Sequence, residues 1–187
     1  LELMPGNKIR KYDTWHAMGQ GATTGSLVVT LEALKEMHLT PEDIQLIQND
    51  TKTCPDTGMA GASRSLYMDG NATIIAANKL LAAMRKEDGT LRTYDEMKAE
   101  GIETKYLGRY ETNTTPGLCR LDPNTGIGDP TPAFTYCLNL AEVEVDTKTG
   151  KTTVLKFTCV DFVGRIGNID AVNGQAYSGI MHGIGFA

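Results

Sequence analysis

Cys54-Pro-Asp-Thr-Gly-Met-Ala-Gly-Ala-Ser-Arg-Ser-Leu-Tyr-Met-Asp-Gly70 is the stretch around which the chain is organised, and Gly19-Gln20-Gly21 is its shorter partner. Both are loops of small residues that run into a helical pattern. Small side chains let a ligand approach the main chain closely, and the free N–H groups at a helix start favour anionic oxygens. Arg64 adds a planar, positively charged guanidinium group that can bind phosphate or carboxylate through two hydrogen bonds. The sequence therefore predicts a phosphate-binding site.

Composition limits what such a site can belong to. The chain has 187 residues, of which 41% are hydrophobic, enough for one sizeable core or two small ones. Eighteen basic and twenty-three acidic residues give a net charge of -5 without long runs of either sign, which argues against a nucleic-acid or membrane-surface partner. No apolar run is long enough to span a membrane, and a signal-peptide pattern is absent. We expect a protein of the reducing cytoplasm.

Cysteine and histidine spacing predicts neither a metal site nor a catalytic residue. The four cysteines, at positions 54, 119, 137 and 159, form no Cys-x-x-Cys pair and have no histidine at ligand spacing, so they are interpreted as buried or incidental thiols. The three histidines, at positions 16, 38 and 182, are far apart in the chain. No Ser/His/Asp order or H-E-x-x-H motif is present.

The first half of the chain alternates between strand and helix patterns. A strand is predicted over residues 8–16 and another over 43–48, with Thr40 and Pro41 forming a turn between them. The helix that begins at Thr23 is predicted to bury Leu27, Leu31, Leu34 and His38. The second helix, over residues 65–86, is predicted to bury Ile74, Ala77, Leu81 and Met84.

The second half contains the clearest structural pattern. Residues 89–132 predict an insertion with one turn of helix at 94–100, and residues 133–145 and 151–163 predict the two arms of a β-hairpin. A last helix carries Gly174 and Gln175 at its start. We expect an α+β fold in which helices cover one face of a mixed sheet, divided into residues 1–88, 89–132 and 133–187, with the first and last parts packed together. The last helix pattern has no stop signal, so we expect a fragment of a longer protein.

The residues alone leave several interpretations of the two loops open. Gly19-Gln20-Gly21 lacks the lysine of a P-loop and is not a full G-x-G-x-x-G, so it predicts either a tight turn or a loop whose Gln20 amide faces a ligand. Residues 62–65 suit either hydroxyl helix caps or an anion site. The residues alone therefore predict an anion-binding α+β domain and assign no reaction to it. A phosphoanion or nucleotide module without redox activity, and an inert structural segment, remain alternatives.

Several motifs in order resemble the molybdenum-binding subunit of the xanthine dehydrogenase and aldehyde oxidoreductase family. They are His16-Ala-Met-Gly-Gln-Gly21, Pro55-Asp-Thr-Gly-Met-Ala-Gly-Ala-Ser-Arg-Ser65, Gly70-Asn-Ala72, Ala141-Glu-Val-Glu-Val-Asp146-x-x-x-Gly150, and Gly174-Gln-Ala-Tyr-Ser-Gly179 with Gly183-Ile-Gly185. The resemblance implies part of a molybdenum hydroxylase, which oxidises an aldehyde or an N-heterocycle with water as the oxygen source. It also implies a molybdopterin-binding fold.

The resemblance also implies cofactors, partners and site residues. The expected cofactor is molybdopterin with molybdenum, as such or as the cytosine dinucleotide. Iron–sulfur clusters, with FAD as an optional addition, are expected elsewhere in an oligomeric full enzyme, held by an iron–sulfur domain or subunit beside the remainder of the molybdenum subunit. The cofactor-binding residues that the resemblance implies are Gln20, Gly21, Ala62, Ser63, Arg64, Ser65 and Gln175. The glutamate base of the family has no counterpart in this chain, because Phe186 follows Gly185, so we expect the fragment alone to be inactive.

Overall fold

The computed structural model describes residues 1–48, 50–58, 60–112, 119–131 and 134–187. The chain forms two compact units, Leu1–Thr115 and Pro116–Ala187. The first unit contains strands β1 (Glu2–Met4), β2 (Lys8–Asp13) and β3 (Ile44–Gln48) and helices α1 (Ala22–Ala33), α2 (Ser65–Met84) and α3 (Tyr94–Ala99). The second contains strands β4 (Tyr136–Val145) and β5 (Thr152–Phe162) and helix α4 (Ile169–Phe186). No helix in the described part of the chain is long and apolar enough to cross a membrane.

The sheet of the first unit is mixed, which confirms the predicted α+β class. Its order is β1-β2-β3, with β2 antiparallel to β1 and parallel to β3. Because α1 connects the two parallel strands, β2, α1 and β3 form a βαβ crossover. The predicted strand over residues 8–16 ends early, at Asp13, which is the last residue of β2 paired with β3.

The core of the first unit lies between this sheet and the helices. Its largest fully buried apolar side chains are Leu3, Ile9, Leu34, Leu80, Met84 and Met97. Met97 belongs to α3, the turn of helix predicted over residues 94–100, so α3 packs into this core. The predicted division of the chain into residues 1–88, 89–132 and 133–187 stays a prediction.

The buried face of α1 differs from the prediction. Ala22, Ser26 and Thr30 are buried, whereas Leu27 and Leu31 of the predicted stripe are only half-buried. Leu34, which follows the helix, is fully buried as predicted. His38, predicted to be buried, is exposed after the helix with a φ of 52°. Small residues face inward because α2 lies close and because polar partners are available for the two hydroxyl groups, as described below. The prediction was therefore wrong about the phase of this helix.

The predicted stripe of α2 is mostly correct. Ala77, Leu81 and Met84 are buried, but Ile74 is 47% exposed. The buried face runs instead through Gly70, Thr73, Ala76, Ala77, Leu80, Leu81 and Met84. The helix ends at Met84, since Arg85 has an extended backbone.

The second unit contains the predicted β-hairpin. β4 and β5 are antiparallel, with Tyr136 opposite Phe162 and Val145 opposite Thr152, and a bulge lies between Glu142 and Val143. Ala133, where the first arm was predicted to begin, lies outside the described residues.

Helix α4 begins earlier than its predicted start. The side chain of Asn168 accepts a hydrogen bond from the Ala171 N–H at 3.1 Å and caps a helix that starts at Ile169. Gly174 and Gln175 therefore lie in the second turn of α4. The sequence prediction that placed them at the helix start was wrong, because the asparagine cap was overlooked.

Candidate functional site

The two loops of small residues leave adjacent parallel strands at the same edge of the sheet. Asp13, the last residue of β2, is paired with Gln48, the last residue of β3. The Gly19-Gln20-Gly21 loop follows β2, and the loop before Ser65 follows β3. Ligands of open α/β sheets bind beyond the carboxyl ends of the strands, which is where both loops begin.

Thr14 connects the segments that follow the two strands. Its hydroxyl donates to the carbonyl oxygen of Pro55 at 3.4 Å and also contacts the hydroxyl of Thr57. The residue just beyond β2 therefore touches the loop just beyond β3. The two loops therefore start close together at one edge of the sheet.

Helices α1 and α2 run in the same direction. A Cβ atom built on Gly70 would lie 3.9 Å from Cγ1 of Val29, so the helices approach closely near the start of α2. Beyond the other end of α1, Glu36 forms an ion pair with Arg85, which follows α2. The residue nearer the N-terminus of α1 contacts the residue nearer the N-terminus of α2, and the later residue contacts the later one. The N-terminal ends of the two helices therefore lie at the same end of the pair.

Neither helix start is capped by a side chain among the described residues. Gly21, with a φ of 81°, precedes α1, and Arg64 precedes α2. The first main-chain hydrogen bond of α1 is donated by the Gly25 N–H to the Gly21 carbonyl oxygen, and that of α2 by the Met68 N–H to the Arg64 carbonyl oxygen. The N–H groups of residues 22–24, 65 and 66 therefore have no carbonyl partner within their own helix. In the described part of the chain, both helix starts thus present main-chain donors at the same end of the helix pair.

The backbone before α2 is in an uncommon conformation. Ala62 and Ser63 have φ values of 55° and 52°, the left-handed region that glycine normally occupies. Both residues are exposed, and Ser65 is half-buried at the first position of α2. Such strain is found preferentially where a ligand is held. The loop therefore has the conformation expected of a binding loop.

Arg64 is exposed at the start of α2. Within the described ranges its side chain has no hydrogen bond or ion pair with another residue, so the guanidinium is available to a ligand. A cation and the positive end of a helix dipole at the same point would together attract an anion.

Gln20 closes its own loop. Its Oε1 accepts from the Met18 N–H at 2.5 Å, and its Nε2 donates to the His16 carbonyl oxygen at 2.7 Å. An amide side chain has a second donor and a second acceptor position, so Gln20 keeps capacity for a ligand. Gln175 is exposed on α4 in the second unit.

The structure shows supporting residues that the sequence analysis did not identify as part of the site. Lys11 and Asp13 of β2 are buried beneath the loops, together with Ser26 of α1. Trp15 packs against α1 so closely that a Cβ on Gly25 would lie 2.7 Å from its ring. The available signal was the alternation over residues 9–15, which places two charged residues on the same face as Ile9 and Trp15.

Comparison with known proteins identifies the family. The model of the molybdopterin cofactor-binding domain matches residues 1–187. The chain belongs to this family.

Relatives of this molybdopterin cofactor-binding domain include oxidoreductases. The aldehyde oxidoreductase of Megalodesulfovibrio gigas is 39% identical over 186 residues, which is 100% of this chain and 20% of the relative. The xanthine dehydrogenase of Dictyostelium discoideum is 25% identical over 175 residues, 91% of this chain and 13% of the relative. The crystal structure of the aldehyde oxidoreductase from Desulfovibrio desulfuricans has a TM-score of 0.93 and 41% identity, covering 100% of this chain and 20% of that one.

The domain therefore spans about a fifth of the aldehyde oxidoreductases that it matches. Its donor set fits the family's ligand. Main-chain N–H groups at helix starts, serine hydroxyls and an arginine that has no ion pair in the described ranges are groups that bind phosphate and polar heterocycles. Within the described ranges no cluster of three or more His, Cys, Asp or Glu side chains is placed to hold a metal ion. These donor groups would suit an anionic organic ligand.

Proposed function

We propose that this chain is the cofactor-holding part of a molybdenum hydroxylase that oxidises an aldehyde or an N-heterocycle, with water as the oxygen source. One observation carries the proposal. Two uncapped helix starts lie at the same end of a helix pair, in a chain matched along its whole length by the molybdopterin cofactor-binding domain. The identity to an aldehyde oxidoreductase, 39%, favours an aldehyde as substrate.

The residues of the first unit have distinct roles in this proposal. The N–H groups that begin α2, with the Ser63 and Ser65 hydroxyls, bind the phosphate and pterin oxygens. Ala62 and Gly21 leave room for the ligand to approach the main chain. Gln20 hydrogen-bonds near the reacting centre. When bound, the cofactor supplies the two-electron oxidation of the substrate carbon, and the residues of this chain hold and orient it.

Arg64 favours the cytosine dinucleotide over the simple pterin. A single phosphate can be satisfied by the helix N-terminus alone, whereas the dinucleotide has a second phosphate that needs another positive donor. Gln175 of α4 remains a predicted cofactor contact that rests on the family resemblance.

The rest of the enzyme is also part of the proposal. The partners would be the remainder of the molybdenum subunit and an iron–sulfur domain or subunit, with FAD as an optional further cofactor in an oligomer. The predicted location is the cytoplasm. No residue of this chain is assigned a catalytic role.

Metal and cofactor analysis of the full-length protein tests the proposal. The protein would be purified from cells supplied with molybdate, and its molybdenum, releasable pterin and releasable cytosine nucleotide would be measured. We expect stoichiometric molybdenum and pterin, with an equal amount of cytosine nucleotide if Arg64 binds the second phosphate. Bound nucleotide without molybdenum would contradict the proposal and favour a phosphoanion-binding module. Neither ligand, in fully folded protein, would favour a structural segment.

A further inference from the structure

A buried ionic cluster joins β2 to α2 directly below the loops. Lys11 and Asp13 are each only 3% exposed. The Lys11 Nζ donates to Oδ2 of Asp69 at 2.7 Å and lies 3.4 Å from Oδ2 of Asp13. Asp69 is the fifth residue of α2, so the cluster reaches within about one helical turn of the uncapped start.

Asp13 extends the cluster to α1 and β3. One of its carboxylate oxygens accepts a hydrogen bond from the Ser26 hydroxyl of α1. The other accepts from Nε2 of Gln48 at 2.9 Å and from the Trp15 N–H at 3.2 Å. One side chain thus connects the end of β2, the end of β3 and the second turn of α1.

Stability alone is a poor explanation for this cluster. It places one lysine against two carboxylates, and burial raises the pKa of Asp69 even though Lys11 lowers it. Buried ion pairs are often no more stabilising than apolar residues of the same volume, because removing the charges from water is costly. What such a cluster does provide is fixed geometry, since each partner has few positions in which all its hydrogen bonds are made.

We propose that Lys11, Asp13 and Asp69 are positioning residues that fix the starts of α1 and α2 relative to the ends of the parallel strands. In this arrangement the main-chain N–H groups at the two uncapped helix starts point at one anionic ligand without reorganisation when it binds. The cluster residues do not contact the ligand. The inference rests on the proposed function, because it concerns how the molybdopterin site is held in shape.

Cofactor release from the full-length, cofactor-loaded protein tests this role. The rate of pterin dissociation would be measured for the wild type, Asp69→Ala and Asp69→Asn at a temperature where each is fully folded. We expect Asp69→Ala to release the cofactor about tenfold faster, the lower end of the range found when supporting partners of a bound group are removed. Asp69→Asn keeps an acceptor oxygen for Lys11, so its rate should lie between the other two.

A second ion pair in the same unit provides the matched control. Nζ of Lys86 lies 2.6 Å from Oε1 of Glu96, near the opposite end of α2. Glu96→Ala should lower the melting temperature without changing the release rate. If Asp69→Ala does not fold, Asp69→Asn and Lys11→Met replace it in the same comparison, and both should release the cofactor faster than the wild type.

The outcomes separate this inference from the proposed function. Wild-type release rates in folded Asp69 and Lys11 variants would overturn the positioning role and leave the cofactor assignment intact. Equal acceleration by Glu96→Ala would also overturn it, because the effect would then follow general destabilisation. A folded wild-type protein without pterin would overturn both.

Discussion

The starts of α2 and α3 are built in opposite ways within one unit. At α3 the Thr93 hydroxyl accepts from the Glu96 N–H, and the Glu96 carboxylate accepts from the Thr93 N–H at 2.8 Å. At α2 the serine hydroxyls at positions 63 and 65 are adjacent to the helix start, yet neither caps it. The six-residue helix is capped by its own side chains, whereas no described side chain caps the twenty-residue helix. The difference supports the proposal that a ligand binds at the start of α2.

Backbone conformation makes the same distinction. Thr93 has an ordinary extended conformation, with a φ of -76°. Ala62 and Ser63 before α2 have left-handed conformations, which cost roughly 1–2 kcal/mol for each non-glycine residue. A cost of this kind is expected where a loop is shaped for binding. The comparison therefore predicts that changes at α2 act on the cofactor and changes at α3 act on stability.

Arg64→Ala in the full-length protein should have the largest effect. We expect cofactor affinity to fall by about 10- to 100-fold, since hydrogen bonds to charged groups contribute about 1.5–3 kcal/mol. The unfolding free energy of the cofactor-free protein should change by less than about 0.5 kcal/mol, because the Arg64 side chain is exposed and has no partner in the described structure. Arg85→Ala, at the other end of α2, is the matched control. Cofactor content and turnover equal to the wild type in Arg64→Ala would show that Arg64 is not a phosphate ligand.

Gly21→Ala should have the next largest effect. Gly21 has a φ of 81°, so a side chain there is strained by about 1–2 kcal/mol. The control is Gly101→Ala, which places the same strain at a φ of 70° beyond α3. Chemical denaturation should show a similar loss of stability in both variants, and only Gly21→Ala should also lose cofactor. Equal cofactor loss in the two would contradict a specific role for the α1 start.

Thr93→Ala should lower the unfolding free energy by about 1 kcal/mol, the usual cost of removing a helix cap. Denaturant titration of the folded protein measures this change. Molybdenum and pterin content should stay at wild-type levels, because α3 has no role in the site. Loss of cofactor from this variant would contradict the prediction that changes at the start of α3 act only on stability.

The pH dependence of Glu96 should be the smallest effect. The hydrogen bond from Lys86 and the Thr93 N–H lower the pKa of Glu96 from 4.5 to about 2. The folded state therefore holds this proton more weakly than the unfolded state, so the stabilisation is complete above pH 4.5 and is lost as the pH falls towards 2. Carboxyl carbon shifts in an NMR titration should give a midpoint near 2. A midpoint near 4.5 would mean that the capping box does not hold in solution.

Local patterns predicted much of the fold. The β-hairpin, α3 and the turn at Thr40 depend on residues close together in the chain, and the structure contains all three. The buried face of α1 could not be predicted in this way. Ser26 and Thr30 are buried because Asp13 accepts from the one hydroxyl and the Ser26 carbonyl oxygen accepts from the other, and hydrophobic periodicity does not report such partners.

The family was predictable to a similar extent, because the order of motifs indicated it. The binding role of the small residues before each helix stays a prediction. The cluster below the loops was not recognised, since Lys11 and Asp69 are 58 residues apart and meet only when α2 packs on the sheet. A single sequence does not show contacts of this range.

The central claim is that the starts of α1 and α2 hold one anionic cofactor, and the structure of the full-length protein with its cofactor bound tests this most directly. The distances to measure are those from the N–H groups of residues 22–24, 65 and 66 to the nearest cofactor oxygens. We predict hydrogen bonds of about 2.7–3.2 Å from the α2 start, with the cofactor within reach of the α1 start. A cofactor bound elsewhere, with both helix starts hydrogen-bonded only to water, would contradict the account.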